Sequence, residues 1–141
     1  MNYYPLDPSE LHNKHVVKMP LEYAQMLSTA HHELDSDLAD QLYRPTHKNH
    51  PSCVWARATR GNYVTMYNSM MDLFAEYTRI FGKVHKTERE KAALLRNPPA
   101  SLTDDTVTEI PQCMPDEFKC PDVVQAYRAY LTDKYRQWEE V

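Results

Sequence analysis

The segment THKNHP, residues 46 to 51, sets four hydrogen-bonding side chains side by side on one short loop. Lys48 brings a point charge and Asn49 a two-way hydrogen bond. His47 and His50 bring donors whose charge can change near neutral pH. Such a set suits a phosphate or sugar-phosphate, with Pro45 and Pro51 restraining the loop that carries it. His85 and Lys86 repeat the His-Lys pairing just after Gly82, and His15 and Lys18 repeat it near the start. The plainer alternative is that these pairs are solvated loop ends.

A second set lies along HVVKMPLEYAQMLSTAH, residues 15 to 31. At the helical angle of about 100° per residue, His15, Lys18, Glu22, Gln25 and Thr29 share an arc of roughly 100°, and His32 joins them. The rest of that helix is almost wholly apolar, the reverse of an ordinary surface helix. Either the line is a solvent-facing stripe with a Lys18–Glu22 ion pair, or it lines a partly closed cleft. In the second case Glu22 is a general acid or base that Lys18 keeps ionised. The expectation is that stripe and loop face one another. Trp55 and Tyr63, with Asn62 between them, are placed to stack on a base close to the loop.

These side chains need a scaffold, and composition restricts it. The 141 residues suffice for a single domain over 1–141, and 42% hydrophobic with 26% charged residues is a normal globular mix. Only two glycines, Gly61 and Gly82, accompany ten prolines, so neither a P-loop nor a Gly-x-Gly-x-x-Gly turn can be built. Cys53, Cys113 and Cys120 are an odd number without C-x-x-C spacing, which reads as free thiols rather than a disulfide framework. His47-x-x-His50 with His15 or His85, and Glu22 or Asp116, is a weak metal pattern, and no metal or other cofactor is expected. The net charge of −4 lacks the basic balance of a typical duplex binder. With no secretory signal pattern and no apolar run near 20 residues, the expectation is a soluble intracellular protein with no membrane partner.

Periodicity predicts an all-α fold of three long helices plus one or two short ones, joined by Pro-rich loops. Residues 1–12 read as an extended segment with a turn at Asp7-Pro8-Ser9. The first helix is predicted from Asn13 to His31 or His32, kinked at Pro20 rather than broken. Ser52 is predicted to cap a short helix, Cys53 to Thr59, and a long helix spans Asn62 to Phe81 before Gly82. Thr87 with Glu90 reads as a capping box for a helix to Arg96. Residues 97–120 form an irregular Pro-rich connector, and the last helix spans Asp122 to Trp138.

HVVKMPLEYAQMLSTAH, THKNHPS, EYTRIFGKVHKTE, QCMPDEFK and VQAYRAY together resemble an uncharacterised family of phage-encoded proteins. The layout also resembles the endonuclease V-type pyrimidine-dimer DNA glycosylases, small all-α enzymes whose N-terminal amine attacks the sugar. Lys-Asn-His-Pro, residues 48 to 51, is similar to a short motif in bacterial relatives of those enzymes. The resemblance implies Glu22 as the assisting glutamate, Lys18 as a phosphate contact, and Met1, or Asn2 if Met1 is trimmed, as the bearer of the amine. It also implies the cytoplasm of an infected host cell. The chain differs from those glycosylases in its net negative charge and in Asn2, which is larger than initiator-Met removal normally accepts.

The reading is therefore a protein acting on a nucleic acid or a nucleotide by cleaving an N-glycosidic bond. Glu22 and Met1 carry the chemistry. His15, Lys18, Gln25, His47, Lys48, Asn49, His50, Trp55, Asn62, Tyr63, His85 and Lys86 hold phosphate, sugar and base. The alternative is a non-catalytic phage protein that sequesters a nucleotide-type host signal or blocks a host protein. Oligomer formation is left open.

Overall fold

Polar periodicity and end signals build the longest element, α3 (Arg60–Phe81). The Thr59 hydroxyl accepts from the Asn62 N–H at 2.9 Å, and Gly82 ends the helix at φ +70°, a left-handed conformation that glycine adopts without cost. The computed structural model describes residues 1–139. Its other helices are α1 (Asn13–Glu33), α2 (Pro51–Ala56), α4 (Lys86–Leu95) and α5 (Val123–Glu139). The fold is all-α, with five helices, 61% helix and no strand among the described residues. None of these helices is long and apolar enough to cross a membrane.

The α1–α3 pair is the centre of the core, with α2 and α4 packed on α1. Met19, Tyr23, Met26 and Leu27 from α1 meet Tyr63, Met66, Met70 and Phe74 from α3. α1 runs unbroken through the buried Pro20. That residue lacks an N–H, so the Val16 carbonyl loses its helical donor. One residue further on, the Val17 carbonyl accepts from His85 Nε2 at 3.0 Å, a bond that ties α4 across the proline turn.

The starts of α2 and α4 correct the sequence reading. Their caps are His50 and His85, not Ser52 and Thr87, and α1 is capped in the same way by His12. In each, imidazole Nδ1 accepts from the N–H two residues on, at 3.0, 3.0 and 3.1 Å. Nδ1 stands two bonds from Cβ, as does the Oδ1 of asparagine, so a neutral histidine reaches the same orphan donor. Histidines 12, 50 and 85 thus begin three of the five helices.

Residues 97–120 are irregular apart from the single turn Asp116–Phe118. They nevertheless act as a strap over α2 and α3. Trp55 Nε1 donates to the Thr108 carbonyl at 3.1 Å, and the Asn62 amide exchanges two bonds with Thr108. The Gly61 N–H donates to the Asp104 carbonyl at 3.1 Å. A Cβ at Gly61 would stand 2.3 Å from the Asp105 carbonyl oxygen and 2.5 Å from that of Thr106. Both obstacles are backbone, so Gly61→Ala must displace the strap. The expected loss is about 1–3 kcal/mol, read from urea unfolding curves.

His31 is fully buried and bonded on both ring nitrogens, to Ser36 Oγ at 2.7 Å and to Tyr63 Oη at 2.9 Å. Tyr63 spends its own proton on the Leu95 carbonyl, so His31 Nε2 is the donor to Tyr63, and burial keeps the ring neutral. Burial lowers the pKa of His31 to about 4, and burial together with nearby positive charge does the same for His15. The unfolded chain, with ordinary histidines near 6.5, then binds more protons than the folded one between those values. The contribution of these two rings should hold at neutral pH, fall as pH drops from about 6.5 to about 4, and change no further below. There the lowered carboxyls of Asp7, Glu10, Asp104, Asp105 and Asp116 take over the loss. Denaturant midpoints across that range check it, and a flat profile would contradict the buried neutral rings.

Candidate functional site

The polar line on α1 is neither a solvent face nor an open stripe. Lys18 is exposed, but His15, Glu22, Thr29 and His32 are covered in turn by α5, by the N-terminal segment and by the loop before α2. His15 Nδ1 bonds Tyr135 Oη of α5 at 2.6 Å. Glu22 Oε1 lies 3.5 Å from the α-ammonium of Met1. Thr29 Oγ1 accepts from the Thr46 N–H at 3.1 Å, and His32 Nε2 bonds the Tyr43 carbonyl at 3.0 Å. One turn on, Glu33 stands 3.9 Å from Lys48. The stripe is therefore a seam, and the 43–50 loop runs along its C-terminal half.

Four successive residues fix the amino end. The Met1 side chain is only 6% exposed, although the residue as a whole is partly exposed, so its access to solvent lies in the backbone atoms around the amine. Asn2 Nδ2 donates to the Cys113 carbonyl at 3.0 Å. The Tyr3 ring stacks on Trp55 with centroids 5.2 Å apart, and the Tyr4 N–H donates to Tyr23 Oη at 2.9 Å. An amine held this way beside a half-buried carboxylate is an oriented nucleophile with a proton acceptor next to it.

The charge of the α-ammonium is felt by two histidines. Burial, and then the charges of Lys134, Lys18, His12 and the α-ammonium, hold His15 neutral with a pKa of about 4. Burial also lowers His50, followed by the charge of the same ammonium and by His47. The α-ammonium is thus the charged partner of Glu22, a part expected of Lys18. Lys18 remains exposed on α1, and Gln25 is half-buried further along the seam. In the loop, His47, Lys48 and Asn49 are exposed. His47 sits at φ +48° with Nδ1 2.8 Å from Thr46 Oγ1.

Other expected site residues lie elsewhere. Tyr63 is 0% and Trp55 4% exposed, so neither face is open to a base. The Asn62 amide is consumed by Trp55 and Thr108. Trp55, braced by Asn62, supports Tyr3 of the N-terminal segment instead, and Tyr63 joins His31 of α1 to the Leu95 carbonyl of α4. His85 uses both ring nitrogens, on Thr87 and Val17, and leaves Lys86 as an exposed side chain on the first turn of α4.

Residues that the sequence did not single out take part. Arg57 donates to the Lys48 carbonyl at 2.7 Å and reaches Cys53 Sγ at 3.6 Å, clamping the loop from α2. Its four-residue spacing from Cys53 was the available signal. Tyr135 and Cys113 lie 120 and 111 positions from the residues they hold, and no local pattern announces such pairs. Among the described residues no group of three or more His, Cys, Asp or Glu side chains converges as metal ligands would. The chain matches no protein-family model, no curated protein and no solved structure.

Proposed function

We propose that this protein is an amine-nucleophile lyase acting at the C1′ carbon of a deoxyribose, with DNA glycosylase/AP-lyase chemistry. The observation that carries the reading is the 3.5 Å approach of the Met1 α-amine to Glu22, with the Met1 side chain buried as an anchor. At an abasic site the deprotonated amine adds to C1′, and the carbonyl electron pair moves to oxygen, which takes a proton. Glu22 takes a proton from the adduct nitrogen and passes it to the hydroxyl, which leaves as water. The nitrogen lone pair forms the iminium, and Glu22 returns to a carboxylate. Glu22 removes a proton from C2′, the freed pair forms C2′=C3′, and the 3′ phosphate departs with the C3′–O electrons. With a base still attached, the C1′–N bond breaks as the amine bond forms, and the base leaves with the pair. Water releases the amine at the end.

Charge placement supports a sugar-phosphate partner despite the net charge of −4. Residues 11–21 and 41–71 contain none of the 20 acidic residues, yet carry Lys14, Lys18, Arg44, Lys48, Arg57 and Arg60 with four histidines. These stretches lie beside the amine and in the loop, although Lys48 is already paired with Glu33 and Arg60 with Asp105. Repulsion of phosphate is thereby reduced around the site, where Glu22 and Glu33 each face a cation.

The test is incubation with an oligonucleotide bearing one abasic site. Strand cleavage on its 3′ side supports the lyase. Thermal stabilisation by mononucleotides or cyclic dinucleotides without any cleavage supports the sequestering reading instead, which the net negative charge favours. A ligand at 100 times its Kd adds about 2.7 kcal/mol.

A further inference from the structure

The three capping histidines differ in what their second nitrogen does. At His85 the second nitrogen, Nε2, is spent on the Val17 carbonyl, and His12 turns its ring toward Tyr135 and Trp138. His50 Nε2 has no partner among the described residues, while Nδ1 is held by the Ser52 N–H at 3.0 Å. A ring whose Nδ1 accepts a hydrogen bond carries its proton on Nε2, so His50 is fixed in one tautomer as a donor. Protonation would have to occur at Nδ1 and would cost the cap.

The first turn of α2 also lies against the N-terminal segment. Cys113 accepts from Asn2 through its carbonyl and meets Ser52 Oγ through its sulfur at 3.7 Å. One residue thereby joins the neighbour of Met1 to the residue that His50 caps. We infer that His50 binds the substrate of this site, its Nε2–H donating to the oxygen on C1′ of a sugar held against the Met1–Glu22 pair. The inference rests on the lyase reading. An uncharged donor polarises that oxygen for attack without adding a second positive charge beside the amine. It transfers no proton itself, since its only acceptor nitrogen is engaged in the cap.

Two substitutions separate the donor from the cap. His50→Asn keeps an acceptor two bonds from Cβ and removes the Nε2–H. His50→Gln places an amide N–H near the Nε2 position and gives up the cap. The assay is single-turnover cleavage of an abasic-site oligonucleotide at saturating protein, with a melting curve for each variant. His50→Asn should melt close to wild type and cleave about 10-fold or more slowly. His50→Gln should melt lower and stay within about 3-fold of the wild-type rate. Wild-type cleavage with an undiminished rate in His50→Asn overturns this inference alone. So does a His50→Gln rate as low as that of His50→Asn. Absence of cleavage by wild type overturns it together with the lyase reading.

Discussion

Glu22→Gln should reduce strand cleavage at an abasic site by about 10²–10⁴-fold while leaving the fold intact. The amide is nearly isosteric with the carboxylate, so the half-buried volume on α1 is retained. What disappears is the negative charge 3.5 Å from the Met1 ammonium, and with it the acceptor that the lyase reading assigns to the C2′ proton. The stability cost should be of order 1 kcal/mol, because the pair keeps some access to water. Rate and melting temperature measured on one preparation separate the two effects. A loss below about 10-fold in a well-folded variant would assign proton transfer to another group.

Trp55→Ala carries the largest expected stability effect. The indole is 4% exposed, stacks on Tyr3, and donates to the Thr108 carbonyl. Truncation empties that volume and should cost about 3–5 kcal/mol in urea unfolding. It should also cost activity, since Tyr3 lies two residues from the amine and would lose the surface that sets its position. Trp55→Phe keeps a stacking face and leaves the Thr108 carbonyl short of a donor, for a loss nearer 1–2 kcal/mol. If Trp55→Ala unfolded at nearly the wild-type midpoint, Trp55 would not be the support for the N-terminal segment.

The long helices were legible because their signals are local. Gly82 after an amphipathic run and the 3.6-residue period of α1 need no tertiary information, and both appear where expected. The capping errors at α2 and α4 came from ranking Ser and Thr above His as caps, although imidazole Nδ1 has the reach of an asparagine oxygen. The stripe announced a special face without saying what covers it. Its covers are Met1, Tyr135 and the 43–46 backbone, which arrive from distant parts of the chain. Trp55, Asn62 and Tyr63 looked available for a ligand because polar or aromatic residues near a basic loop read alike whether they face outward or inward. Burial decided between the two, and burial is a property of the assembled fold.

The central claim is that the nucleophile is the α-nitrogen of Met1. The most direct measurement is borohydride reduction during reaction with an abasic-site oligonucleotide, followed by digestion and tandem mass spectrometry of the protein. Reduction converts the iminium to a stable amine, so the sugar remnant marks the atom that attacked. The account predicts the remnant on the amino-terminal peptide, at the α-nitrogen of Met1 beside Glu22. A remnant on the side chain of Lys18 or Lys48, or no adduct under conditions that trap a known lyase, would contradict it.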